Sequence, residues 1–275
     1  MLSAVAQYVG ATIAVLLFDD VAPQTVAWLR VIGASLAVLA VTGRWWRGWT
    51  GADLGAAAVF GIATAVMNLC FYMAIARTDL GKSVAIEFIG PIVVAAAMTR
   101  SRRNALALVL AAGGVVVLGG IELGSNAVGL AWILAASACW AAYIVVGSRV
   151  AQQDRGLAGL GVGLAIGAVA ITPFGAPGSG PVWTAPGLLA AALVVGVFSN
   201  AIGYGIDQHV LRRIPVRRFS VLLALLPVTA VAVGWIALDQ RPALLDVAGI
   251  ALVLVGVVVQ ERDEVAAELA APDPG

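Results

Sequence analysis

Charge is scarce in this chain. Only 11% of its 275 residues are Asp, Glu, Lys or Arg, while 61% are hydrophobic. A soluble domain carries about 25% charged residues, so a water-facing surface could not be covered here. Histidine occurs once, as His209, and cysteine twice, as Cys70 and Cys139. Both cysteines sit mid-way along apolar runs and read as small buried hydrophobes, so no metal site, disulfide or cofactor is expected. His209, beside Asp207 and Gln208, reads as a solvated end-cap rather than a proton relay. The net charge is only +1, with the basic residues in short clusters between apolar runs, which excludes a nucleic-acid partner. Glycine is plentiful, yet Gly161, Gly163 and Gly167 miss the G-x-G-x-x-G spacing and follow no strand, so nucleotide binding is not supported. Their spacing suits close helix packing instead. No nucleophile–base–orienter set is present, and no enzyme is expected.

What the chain has in quantity is apolar runs. Ten are legible, at 3–18, 24–42, 54–76, 80–99, 105–120, 127–147, 157–174, 186–206, 216–238 and 243–259. Most come near the ~20 residues that an α-helix needs to span a bilayer, and the mean hydropathy is +1.00. The fold class expected is an all-α polytopic membrane protein of about ten transmembrane helices. The first run is short for a full span, and Met1 leads into it without a basic n-region, so no cleavable signal peptide is expected. Residues 261–275 are acidic and are expected to form a disordered cytoplasmic tail.

Loop charge sets the orientation. Alternate loops on one side carry Arg44, Arg47, Arg100, Arg102, Arg103, Arg149, Arg155, Arg212, Arg213, Arg217, Arg218 and Arg262. The other side carries Arg77, Lys82 and Arg241, and Arg30 lies inside a run. By the positive-inside rule the Arg-rich side is cytoplasmic, with both termini there. The Arg212–Arg218 cluster also suits anionic lipid. A shift of 136 residues lays Pro91 on Pro227, Gly113 on Gly249, Gly120 on Gly256 and Arg77 on Arg213. Two repeats are therefore expected, 1–123 and 124–260, each of five helices. An odd number of helices per repeat forces opposite orientations in the membrane, the inverted arrangement of secondary transporters.

The run 85–98, AIEFIGPIVVAAAM, carries one carboxylate, Glu87, and one helix-breaking pair, Gly90–Pro91. A charge at the centre of a bilayer costs about 2.5 kcal/mol or more, so an intramembrane carboxylate marks a functional site. Pro91 removes a backbone donor and kinks its helix, and Pro227 does the same in the second repeat. At ~1.5 Å per residue, Arg30, Glu87, Asn68 and Tyr72 fall roughly 6–12 Å below the outer face on three helices. They form one polar layer in which Glu87 faces an ammonium and Arg30 a carboxylate. A second layer toward the cytoplasm holds Trp140, Tyr143, Asn200 and Tyr204, and Gln7 projects from the first run. Each has a plainer reading: an Arg30–Glu87 ion pair locking two helices, an Asn68 bond to a neighbouring helix, Tyr143 and Tyr204 as interfacial anchors, and Trp140 as packing.

MNLCFYMAI (67–75), AIEFIGPIVVA (85–95), ACWAAYIVVGSR (138–149) and RIPVRRFSVLLALLP (213–227) resemble the drug/metabolite transporter superfamily, EamA type. Within it the chain is most similar to bacterial threonine/homoserine exporters, and WLRVIGA (28–34) adds a weaker match. The resemblance implies ten helices in two inverted halves. It also implies proton-driven export of amino acids or related small metabolites across a bacterial inner membrane. Members of the family commonly carry Glu just before the second-half proline; here Leu226 stands there, which leaves Glu87 as the main membrane carboxylate. The alternatives are a multidrug or other metabolite exporter of the same fold and, from a different class, a non-transporting scaffold or integral membrane enzyme.

Overall fold

In lipid each backbone polar group needs an internal partner, and a helix supplies one within a single apolar run. A computed structural model describes residues 2–42, 47–98, 101–150, 156–202 and 226–270, with the backbone alone at 2–4, 95, 98, 119–125, 143–150 and 261–270. Among the described residues every regular element is helical. The first half holds α1 (Leu2–Leu17), α2 (Pro23–Thr42), α3 (Gly51–Ile75), α4 (Leu80–Glu87), α5 (Ile89–Met98) and α6 (Arg102–Ser125). The second holds α7 (Ala127–Val150), α8 (Gly156–Gly175), the short α9 (Gly180–Thr184) and α10 (Pro186–Gly196). A π-helical stretch (Val197–Ile202), α11 (Leu226–Leu238) and α12 (Leu244–Ala270) follow. Helices α2, α3 and α8 are each long and apolar enough to cross a membrane.

Local chemistry sets the helix ends. Thr50 caps α3: its hydroxyl accepts from the Asp53 amide at 3.2 Å while the Asp53 carboxylate takes the Thr50 amide at 3.1 Å. This reciprocal box satisfies two donors that a helix start leaves free. The fourth apolar run is broken into α4 and α5 at Phe88, three residues before Pro91. Proline lacks the N–H that would bond the carbonyl four residues back, and that carbonyl belongs to Glu87. The break thus sits next to the carboxylate. In the second half, α11 is described from Leu226, so Pro227 lies in its first described turn, buried. One expectation is corrected. Helix α12 runs to Ala270, through residues read as a disordered tail. The stretch ERDEVAAELA is rich in Glu, Ala and Leu, all strong helix formers.

Packing interleaves the halves. Helix α2 lies on α8, α3 on both α7 and α8, α6 on α12, α4 on α11, and α1 on α10, the π-helical stretch and α11. Small residues make the closest crossings. A Cβ on Gly61 would overlap the Gly163 backbone, and one on Gly167 the Gly61 carbonyl, so α3 and α8 touch main chain to main chain. Side chains reinforce the α2–α8 contact. Trp28 Nε1 donates to the Ala168 carbonyl and the Thr172 hydroxyl, both at 3.1 Å, and Thr25 and Ser35 donate to the carbonyls of Gly175 and Gly161.

Candidate functional site

The site begins where α2 meets α10. A Cβ on Gly33 would overlap the Leu193 carbonyl, and one on Gly196 the carbonyl of Arg30 itself. With both positions glycine, α10 lies directly against the turn of α2 that carries Arg30. The next turn beyond Gly196 is π-helical and presents Asn200, whose side chain is fully buried. Arg30 Nε donates to Asn200 Oδ1 at 3.0 Å. The guanidinium also lies over the ring of Tyr72, with Cζ 4.8 Å from its centroid, a cation–π contact from α3. Phe18 and Phe71 pack around that ring at 6.1 and 6.2 Å. The guanidinium is therefore held on one edge and one face. Its bond to Asn200 is the one hydrogen bond the side chain makes among the described residues.

Glu87 is the last residue of α4 and, like Arg30, is 8% exposed. Its carboxylate joins no ion pair and accepts no hydrogen bond among the described residues. The Arg30 charge reaches it through space, without contact. Tyr8 of α1 lies within the field of Glu87 as well. The adjoining Phe88 meets Trp140 of α7 edge-on, ring centroids 5.1 Å apart. Three of the buried polar atoms that lack a hydrogen-bond partner among the described residues are Tyr72 Oη, Asn200 Nδ2 and Thr12 Oγ1. Ser199 and Arg30 stand beside the Tyr72 hydroxyl, neither in hydrogen-bonding geometry. Thr12 differs from Thr42, Thr64, Thr78 and Thr172, each of which bonds the carbonyl four residues back.

Of the residues singled out from sequence, Arg30 contacts both Asn200 and Tyr72. Glu87 stands near Arg30, and Trp140 joins through Phe88. The two layers inferred from depth are one cluster at this point, because Asn200 bonds Arg30 directly. The close α2–α10 crossing and the reach of the arginine stem bring them together. Asn68 is not drawn in: its amide donates to the Thr64 carbonyl of its own helix at 2.8 Å. Gln7 contributes its main-chain carbonyl, which accepts from Ser199 Oγ at 3.3 Å. Gly90 is required where it stands, since a Cβ there would overlap the Ser137 carbonyl of α7. Tyr204, His209, the Arg212–Arg218 cluster and the side chain of Tyr143 lie outside the described residues. Sequence reasoning missed Tyr8, Thr12 and Ser199. Tyr8 was the readable one, a tyrosine midway along an apolar helix. The two hydroxyl residues give no signal, because membrane helices absorb them routinely. Among the described residues no group of His, Cys, Asp and Glu is placed to hold a metal ion.

Residues 127–260 match the EamA-like transporter family. Over 236 residues the chain is 33% identical to the threonine/homoserine exporter RhtA of Salmonella typhimurium, spanning 84% of this chain and 79% of that protein. It is 31% identical over the same coverage to the exporter of that name from Escherichia coli. The chain belongs to the EamA-like transporter family. Its fold resembles that of a protein of known crystal structure, with a TM-score of 0.62 at 20% identity over 98% of this chain and 96% of the other. Membership in a transporter family, together with apolar helices long enough to cross a bilayer, makes this a bacterial membrane transporter. Among the described residues of this EamA-like chain, Arg30 and Glu87 are buried charged residues that no ion pair joins to each other.

Proposed function

We propose that the protein is a secondary exporter of amino acids, of the threonine/homoserine kind, and of related small metabolites. The observation that carries this reading is the separation of Arg30 from Glu87. The Arg30 guanidinium and the Glu87 carboxyl group, both buried, are joined by no ion pair or hydrogen bond. A buried unpaired charge is costly. A zwitterion whose carboxylate meets Arg30 and whose ammonium meets Glu87 would satisfy both. The free Asn200 Nδ2 and Tyr72 Oη add donors on the carboxylate side. The structural alternative, an Arg30–Glu87 lock between α2 and α4, finds no ion pair to support it. The substrate class draws on the threonine/homoserine exporters of Salmonella typhimurium and Escherichia coli that the chain is similar to.

The mechanism proposed is alternating access with proton antiport. Glu87 binds substrate in its carboxylate form and releases it on taking a proton, so one group holds either the proton or the ammonium. Two inverted five-helix repeats, 1–123 and 124–260, would rock about the site, in the inner membrane with both termini cytoplasmic. Helix packing supports this arrangement. The 136-residue shift relates α2 to α8 and α6 to α12, and each of these pairs is in contact, as a two-fold axis passing between them would give. The same shift relates the α3–α7 contact to that between α1 and the π-helical stretch.

The test is efflux of radiolabelled amino acids from loaded cells, with and without a pH gradient, for wild type and Glu87→Gln at matched membrane levels. Gradient-dependent efflux of threonine or homoserine, lost in Glu87→Gln, is the expected result. Efflux that survives the substitution would remove Glu87 from the coupling step. Efflux of bulky aromatic cations with no amino acid moved would shift the substrate class to the aromatic walls at Phe88 and Trp140.

A further inference from the structure

We infer that Lys82, Asp246 and Gln240 form a latch that closes one end of the pathway between the two halves, at the mouth where α4 begins. The inference rests on the alternating-access reading, and it concerns residues remote from the Arg30–Glu87 cluster. The N-terminus of α4 is fastened to the second half in two ways. The Leu80 amide, one of the free donors of a helix start, donates to Gln240 Oε1 at 2.9 Å. Lys82 Nζ lies 3.4 Å from Asp246 on α12 and 3.2 Å from Asp79 on its own turn. The Lys82 and Asp246 side chains are only 13% and 5% exposed, so water screens this pair weakly. Asp246 is itself oriented, since its other oxygen takes the Ala243 amide at 2.9 Å.

The fit around these groups is close. A Cβ on Gly81 would press on Val231, and one on Gly234 on Gln240. The cavity left between α4, α11 and the 240–242 turn is only about 10 Å³, room for about one water. No amino acid passes such a mouth while it is shut. A charge pair and one amide bond can be broken and remade, whereas α3 and α8 are in main-chain contact at Gly61 and Gly163. The end at α4 and the 240–242 turn is therefore the one built to part. Glu87 sits at the opposite end of the same eight-residue helix, so parting the latch would move the carboxylate with it.

The two native cysteines are the probe. Cys70 and Cys139 lie toward the interior near Glu87 and are the chain's full complement of thiols. A membrane-impermeant maleimide is applied to intact cells and, separately, to inside-out vesicles, with total thiol measured after denaturation. Wild type should label slowly from the face that carries the start of α4. Lys82→Met and Asp246→Asn should each raise labelling from that face about tenfold, a usual size for the bias on a two-state element. The swapped pair, Lys82→Asp with Asp246→Lys, should bring the rate back toward wild type, which a variant that merely misfolds would not do. Unchanged labelling in both single variants at wild-type membrane levels would overturn the latch. So would single variants that label faster from both faces alike, or a swap that restores nothing. If labelling follows the expected pattern while no amino acid is exported, the latch stands and the transport reading fails. Export that depends on Glu87 with labelling indifferent to Lys82 and Asp246 would sink the latch and leave the transport reading intact.

Discussion

Arg30 and Glu87 are buried to the same degree, 8% exposed each, and do not touch. Arg30 turns instead to Asn200, 170 residues away in sequence, and to the face of Tyr72. One side chain from the first half is thus oriented by a residue of the second, and no ion pair joins it to the nearby carboxyl group.

Replacement of Arg30 by lysine should behave nearly like replacement by alanine. An ammonium has no planar face to lie on Tyr72 and no Nε to place against Asn200 while further donors point elsewhere. Hydrogen bonds to charged groups contribute about 1.5–3 kcal/mol, so amino-acid efflux should fall on the order of 10- to 100-fold in either variant. Arg30→Lys transporting at the wild-type rate would leave a point charge as the whole requirement.

Asn200→Ala should weaken transport less than Arg30→Ala and in a diagnostic way. It frees Nε and removes the unpartnered Nδ2, so the half-saturating substrate concentration should rise by roughly tenfold, the effect of one charge-assisted hydrogen bond. Membrane levels should hold. A normal concentration dependence with a reduced amount of folded protein would make Asn200 a packing residue.

Gly196→Ala and Gly113→Ala form a matched pair. The first puts a methyl group into the Arg30 carbonyl, while the second meets nothing within 4 Å. Overpacking costs about 1–3 kcal/mol, and an exposed helical Gly→Ala gains roughly 0.5–1 kcal/mol. Thermal unfolding in detergent should move down for Gly196→Ala and stay level or rise for Gly113→Ala. Equal behaviour of the two would argue against the close α2–α10 crossing.

Trp28→Phe separates stability from transport. It deletes the donor to Ala168 and Thr172 that ties α2 to α8 and keeps a smaller aromatic ring in place. Hydrogen bonds between membrane helices average about 0.6 kcal/mol, so a modest drop in thermal stability should accompany near-normal substrate affinity. A large loss of affinity would place Trp28 in the site itself.

Composition and pattern by themselves determined the class of this protein. Apolar runs of bilayer length, with too little charge for a soluble surface, leave helices as the form that satisfies the backbone in lipid. Glu87 and Pro91 were readable as a pair because they are four residues apart, within one helical turn, where covalent geometry alone makes the proline act on the glutamate carbonyl. The burial of Arg30 was readable for a like reason: a lone charge in an apolar run stands out. Its partner was not. Whether Arg30 meets Glu87 or Asn200 depends on how closely α2 approaches α10, which glycines at 33 and 196 permit and a one-dimensional depth count cannot register. Lys82 likewise appeared in sequence as one more loop cation, and only the packing of α4 against α11 and α12 set it beside Asp246. Periodicity reports which residues are buried. The choice of neighbour belongs to the tertiary fold, because it is decided by contacts between segments that sequence separates by more than 100 residues.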